Sequence, residues 1–223
     1  MISEEPVAVA SADGVTLEGR LAVGLGTSAG MVICHPHPLY GGDMENPVVV
    51  RVVEVAGGHG LTTLRFNFRG VGRSTGAHGG GEAERADVGA ALRHLQSRLQ
   101  SPDAPIVLAG YSFGAAVAAR VAVTVTLAGL VLIAPPLALA EYERFELLDS
   151  FTAPLLVIAG TNDEYCPLPA LDRARAQLPQ AAVRIIDGAN HFFFGTLFPL
   201  GEAVREWLEQ LQLGQSGRRG SPG

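Results

Sequence analysis

Six short, mostly apolar runs punctuate the chain at 31–35, 61–66, 106–110, 130–134, 155–160 and 183–186, each bounded by glycine, proline or small polar residues. Runs of this length without regular polar alternation predict strands buried on both faces. Between them, the segments 46–56, 82–99, 113–123, 167–178 and 198–211 carry apolar residues at helical spacing. Strand and helix therefore alternate, which predicts right-handed crossovers and an α/β domain, a mainly parallel sheet with helices on both faces. At the start of the chain, 7–10 and 15–23 flank Asp13-Gly14, a strong turn pair, and predict an antiparallel hairpin at a sheet edge.

The apolar stretch 121–140 is long enough to raise a membrane span, but Pro135-Pro136 interrupts it and Thr124 and Thr126 give it strand texture. It reads as a helix end, a strand and a loop. Only residues 135–153 separate the strands at 130–134 and 155–160, with one short helical candidate at 139–148. That leaves no room for a cap. We expect a single domain over 1–212, an open site suited to small or exposed substrates, and a disordered tail over 213–223, where glycine, serine, proline and arginine dominate.

Composition narrows the chemistry. The 223 residues are 48% hydrophobic, ample for one core, and the net charge of −6 provides no basic footprint for nucleic acid or an anionic membrane. All sixteen basic residues are arginine. Without lysine, Schiff-base chemistry, lysine-bound pyridoxal phosphate and a Walker-type phosphate loop are excluded. Cys34 and Cys166 make neither a disulfide framework nor a zinc pattern, and the acidic start Met1-Ile2-Ser3-Glu4-Glu5-Pro6 lacks the order of a signal peptide, so a cytoplasmic protein is expected.

Gly110-Tyr111-Ser112-Phe113-Gly114 joins a predicted strand to an alanine-rich helix, with a serine at the apex of a turn too tight for bulky neighbours. Such a turn presents a serine hydroxyl as an exposed nucleophile. Asp163 follows the strand at 155–160, and His191 follows the one at 183–186. A serine hydroxyl needs a base within reach, which His191 can be, and an acid to hold that imidazole, which Asp163 can be, with Glu164 as the fallback.

In the order Ser112, Asp163, His191 the sequence resembles the α/β-hydrolases. The runs His35-Pro36-His37-Pro38-Leu39-Tyr40-Gly41-Gly42 and Arg65-Phe66-Asn67-Phe68-Arg69-Gly70-Val71-Gly72-Arg73-Ser74 resemble a lidless bacterial branch related to dienelactone hydrolases, over residues 5–212. The resemblance implies catalytic roles for Ser112, Asp163 and His191, with an oxyanion hole built from the backbone N–H of Phe113 and of a residue after the third strand. Pro36 and Pro38 have no N–H to give. The superfamily's pattern points to His37, with Leu39 next. The implied activity is hydrolysis of a small carboxylic ester or thioester through a Ser112 acyl-enzyme, although dienelactone hydrolysis itself usually employs a cysteine there. A catalytically idle scaffold, an acyltransferase and an amidase are the alternatives.

Tyr40 and Tyr111 are candidate walls of the substrate pocket, as are Phe113 and Phe192 to Phe194, though core packing would explain them equally. Arg69 and Arg73 follow a strand on the catalytic side, where a guanidinium could hold a substrate carboxylate; pairing with Asp43 or Glu82 is the structural alternative. No cofactor and no metal is expected. His35-Pro36-His37 lacks the further ligands of a coordination set, and Gly70-Val71-Gly72-Arg73-Ser74-Thr75 lacks the final glycine of a dinucleotide loop.

Overall fold

The computed structural model of the protein describes residues 3–26, 28–139, 145–211 and 213. Strands β1 (Glu5–Ala10) and β2 (Thr16–Ala22) form the expected antiparallel hairpin, followed by β3 (Gly30–Cys34), β4 (Thr62–Phe66), β5 (Ile106–Tyr111), β6 (Gly129–Ile133), β7 (Leu155–Asn162) and β8 (Ala181–Asn190). They lie in one sheet in the order β1-β2-β4-β3-β5-β6-β7-β8. β2 pairs with β4 antiparallel, and every pairing from β4 through β8 is parallel.

Two cores explain why the central runs carry apolar residues on both faces. On one side α2 (Glu84–Gln96), α3 (Phe113–Ala122) and α4 (Leu168–Gln177) pack Val88, Val117 and Leu171 against Val32, Leu108 and Leu132. On the other, α1 (Pro47–Gly58) and α5 (Leu197–Gln210) pack Val52, Val204 and Trp207 against Met31, Val107 and Val131. Each such side chain, fully buried, contributes about 1.5–3 kcal/mol, so the double-sided sheet is the rigid frame of the molecule.

The largest departure from the sequence pattern is at β8, which runs four residues beyond 183–186. It is the edge strand, with one neighbour and much of its length half-exposed, so the apolar pattern fades while the hydrogen-bonded ladder continues to Asn190, opposite Asn162 of β7. β7 likewise reaches Asn162. Asp163 and His191 are thereby brought to adjacent strand ends. The helix expected over 82–99 is shorter, Glu84–Gln96, and part of 139–148 appears as a short 3₁₀ segment, Phe145–Ser150. Residues 140–144 of that candidate lie outside the described residues, as do 214–223 of the expected tail. Leu213, also assigned to the tail, is instead buried in the second core, where its apolar side chain leaves water. Among the described residues no helix is long and apolar enough to cross a membrane.

Candidate active site

The strand order reverses at β3: the chain passes from β3 to β4 on one side and returns to β5 on the other, leaving a crevice at the carboxyl ends of these strands. Ser112 stands there. It leaves β5 and enters α3 with φ 54° and ψ −118°, a conformation in which a non-glycine residue is strained. Its N–H donates to the Ile133 carbonyl at 2.9 Å, and its carbonyl accepts from Ala115 and Ala116, so strand and helix together hold the strain. The flanking glycines are required by contact. A Cβ at Gly110 would lie 2.3 Å from the Gly114 carbonyl oxygen, and one at Gly114 would lie 2.5 Å from the carbonyl oxygens of both Cys34 and His35. Small residues thus press the start of α3 against the end of β3.

Ser112 Oγ lies 2.9 Å from His191 Nε2, and His191 Nδ1 lies 2.9 and 3.0 Å from the two oxygens of Asp163. The carboxylate fixes the tautomer. An ionised Asp163 can only accept, so Nδ1 carries the proton and Nε2 is left to accept from the serine hydroxyl. Asp163 Oδ1 also accepts the N–H groups of Tyr165 and Cys166 at 2.9 Å each, and Tyr111 donates its hydroxyl to the His191 carbonyl at 2.7 Å. The ring of Tyr165 covers the imidazole with centroids 4.6 Å apart. All three members of the set are buried.

The loop after β3 is tied down on itself. His37 Nδ1 accepts the Leu39 N–H at 3.2 Å, while the His37 carbonyl accepts from Tyr40 and Gly42. The amides of Leu39 and Tyr40 are therefore committed within the loop. The His37 ring packs 4.8 Å from Phe113 and 5.0 Å from His78. Ser112 and His191 open into a cleft of about 390 Å³, whose walls include His37, Tyr40, Tyr111, Phe113, Tyr165 and Phe192.

A family model described as an alpha/beta hydrolase domain matches residues 29–203. The chain belongs to the alpha/beta hydrolase family. It is 32% identical over 204 residues to an uncharacterised protein of Rickettsia prowazekii, covering 88% of this chain and 85% of that one. Among solved structures it is similar to an alpha-beta serine hydrolase homologue from Coxiella burnetii, at 33% identity, with 92% of this chain and 98% of that one covered and a TM-score of 0.84. It is also similar to an α/β serine hydrolase without lid from Xanthomonas campestris, at 28% identity, with coverages of 94% and 96% and a TM-score of 0.84.

In this alpha/beta hydrolase one expected substrate residue is placed elsewhere. Arg69 does not line the cleft: its guanidinium and its own N–H both bind Asp87, and Nη2 reaches Asp13 at 2.8 Å. The hydrogen bonds that its guanidinium donates to Asp87 hold the Arg69 pKa above its ordinary value. The partners are neither Asp43 nor Glu82, because the turn after β4 points the side chain toward the first turn of α2 and the tip of the hairpin. Arg73 pairs with Glu18. Neither cysteine is poised as a nucleophile, since burial pushes both the Cys34 and the Cys166 thiol up from the ordinary range. Among the described residues no group of three or more His, Cys, Asp or Glu side chains could hold a metal ion.

His35 serves as an anchor. Its Nδ1 donates to the Pro36 carbonyl at 2.6 Å and its Nε2 accepts the Phe68 N–H at 3.0 Å, which ties the loop after β3 to the loop after β4. Sequence reasoning missed Tyr165, Pro136 and Leu139 as cleft residues. Two of them carry a signal in retrospect: Tyr165 lies two residues past Asp163, and Pro136 lies just past β6, so both sit on loops at the carboxyl ends of strands.

Proposed function

We propose that this alpha/beta hydrolase is a serine hydrolase that cleaves a small carboxylic ester or thioester through an acyl-enzyme on Ser112. The observation that carries the reading is the continuous Ser112–His191–Asp163 hydrogen-bonded set ending on a hydroxyl that faces the cleft. In the first half-reaction Ser112 Oγ bonds to the acyl carbon while its proton passes to His191 Nε2. The imidazolium is stabilised by Asp163 through Nδ1–H, and the developing oxyanion is held by the backbone N–H groups of Phe113, at the start of α3, and His37. The tetrahedral intermediate collapses as His191 returns the proton to the leaving alcohol or thiol, and the C–O or C–S bond breaks. Water then gives one proton to His191 Nε2 as its oxygen bonds to the acyl carbon, and the second tetrahedral intermediate collapses as His191 passes that proton to Ser112 Oγ, breaking the acyl–Oγ bond and releasing the acid. Two buried, unpaired thiols favour the cytoplasm as the site of action.

Intact-protein mass spectrometry after a fluorophosphonate probe tests this, with p-nitrophenyl esters assayed in parallel. One adduct on Ser112, lost in Ser112→Ala and His191→Ala along with turnover, is the expected result. A folded protein that takes no adduct would overturn the reading in favour of a binding scaffold.

A further inference from the structure

The cleft is apolar on both sides of the serine. Tyr111 and Phe113 form its buried floor, while Tyr40, Leu139, Tyr165 and Phe192 stand at the mouth partly in water, Tyr40 at 88% and Phe192 at 54% exposure. In strand order the serine lies between them: Tyr40 follows β3, Ser112 follows β5, and Tyr165 and Phe192 follow β7 and β8. Large apolar side chains gathered in water around a concave site mark a surface kept for an apolar ligand.

Its charge is equally one-sided. Among the described residues no arginine lines the cleft, and the chain has no lysine. The arginines after the neighbouring strand that could have held an anion are engaged, Arg69 by Asp87 and Asp13 and Arg73 by Glu18. The loops that supply the walls instead carry acids, Asp43 beside Gly42 and Glu164 beside Tyr165, while Glu45 is already held by Arg65 and Arg20. An entering carboxylate or phosphate would lose its water, meet no arginine or lysine among the described lining residues and approach the acids beside them, whereas an uncharged chain gains from every apolar area it buries.

We propose that the cleft takes an uncharged ester with apolar groups on both the acyl and the alcohol side, and discriminates against substrates that carry a carboxylate or phosphate, coenzyme A thioesters included. The inference rests on the serine-hydrolase reading, and the experiment separates the two. The full chain is titrated with an alkyl fluorophosphonate and with one of equal length ending in a carboxylate. Turnover of p-nitrophenyl pentanoate is measured against that of mono-p-nitrophenyl glutarate. The neutral member of each pair is expected to react faster by at least about tenfold in second-order labelling rate and in kcat/KM. Placing a cation at the mouth by Tyr40→Arg is expected to narrow that gap. Equal or faster reaction of the anionic member on Ser112 overturns the selectivity while leaving the serine mechanism intact, and a gap that Tyr40→Arg leaves unchanged overturns the missing cation as its cause. Absence of any adduct from either probe removes the mechanism and the selectivity together.

Discussion

Two clusters of buried ionisable groups sit at the carboxyl ends of the strands, and they use the same residue types in opposite ways. Around α2, His35 has both ring nitrogens engaged, Arg69 is held by Asp87 and Asp13, and Glu84 accepts the N–H groups of Gly79 and Gly81 at 2.8 Å each. That network closes on the protein. Across the crevice, Asp163 and His191 are also buried, but their chain of hydrogen bonds ends on Ser112, whose other side is the cleft. A closed network has no reactive end and stabilises the loops. An open one leaves its last group to a ligand.

If that contrast is right, breaking the open network should remove rate and spare stability. In Asp163→Asn the amide oxygen can keep the N–H bonds of Tyr165 and Cys166, while its NH₂ takes the place of Oδ2 and donates to His191 Nδ1. The imidazole then carries its proton on Nε2 and cannot accept one from Ser112. We expect kcat for a p-nitrophenyl ester to fall about ten-thousand-fold, with the urea midpoint little changed. Loss of stability in step with loss of rate would erase the distinction.

The closed network should show the reverse. Arg69→Met leaves the fully buried Asp87 carboxylate without its cation and should cost about 3–5 kcal/mol in urea unfolding, while kcat/KM per folded molecule for a neutral ester stays at the wild-type value. Replacing both partners, Arg69→Met with Asp87→Leu, should restore most of the stability. A selective rise in KM in the single variant would instead return Arg69 to the substrate site.

How much of each cluster was legible differs for a physical reason. Ser112, Asp163 and His191 each follow a strand, and in a parallel sheet all strand ends of one sense lie on one side, so order along the chain is nearly enough to place them. Partnership in the closed network is set by how α2 and the hairpin approach β4, which no local pattern encodes; Asp13 and Asp87 are 74 positions apart in sequence yet share one guanidinium. A clue was present all the same. Glu84, Asp87, Val88, Ala91, Leu92 and Leu95 form one helical stripe, and two acids on an otherwise apolar stripe announce buried carboxylates that need partners. The extent of β8 was hidden because an edge strand needs no apolar alternation, and the hydrogen bonds that tie Leu39 and Tyr40 back to His37 are not encoded in any local apolar pattern.

His35 offers the smallest and most specific probe of the closed network. Burial lowers its pKa from 6.5 to about 4, so at neutral pH it is uncharged both folded and unfolded and its neutral hydrogen bonds are intact. As pH falls below 6.5, the unfolded chain takes up a proton that the folded one refuses. Stability therefore drops progressively until about pH 4, where the folded form protonates too, and the whole loss amounts to roughly 3 kcal/mol. Because carboxylates also titrate in this window, the informative quantity is a difference. Urea unfolding at pH 7.5 and at pH 4 should show wild type losing more stability than His35→Gln by roughly that amount, since glutamine has no proton to gain. The variant should be the less stable protein at pH 7.5, having lost a ring that spans Pro36 and Phe68, and the two should converge on acidification. Parallel curves would mean that the imidazole is solvated or already charged, and that the anchor between the loops after β3 and β4 is held by something other than a neutral, closed network.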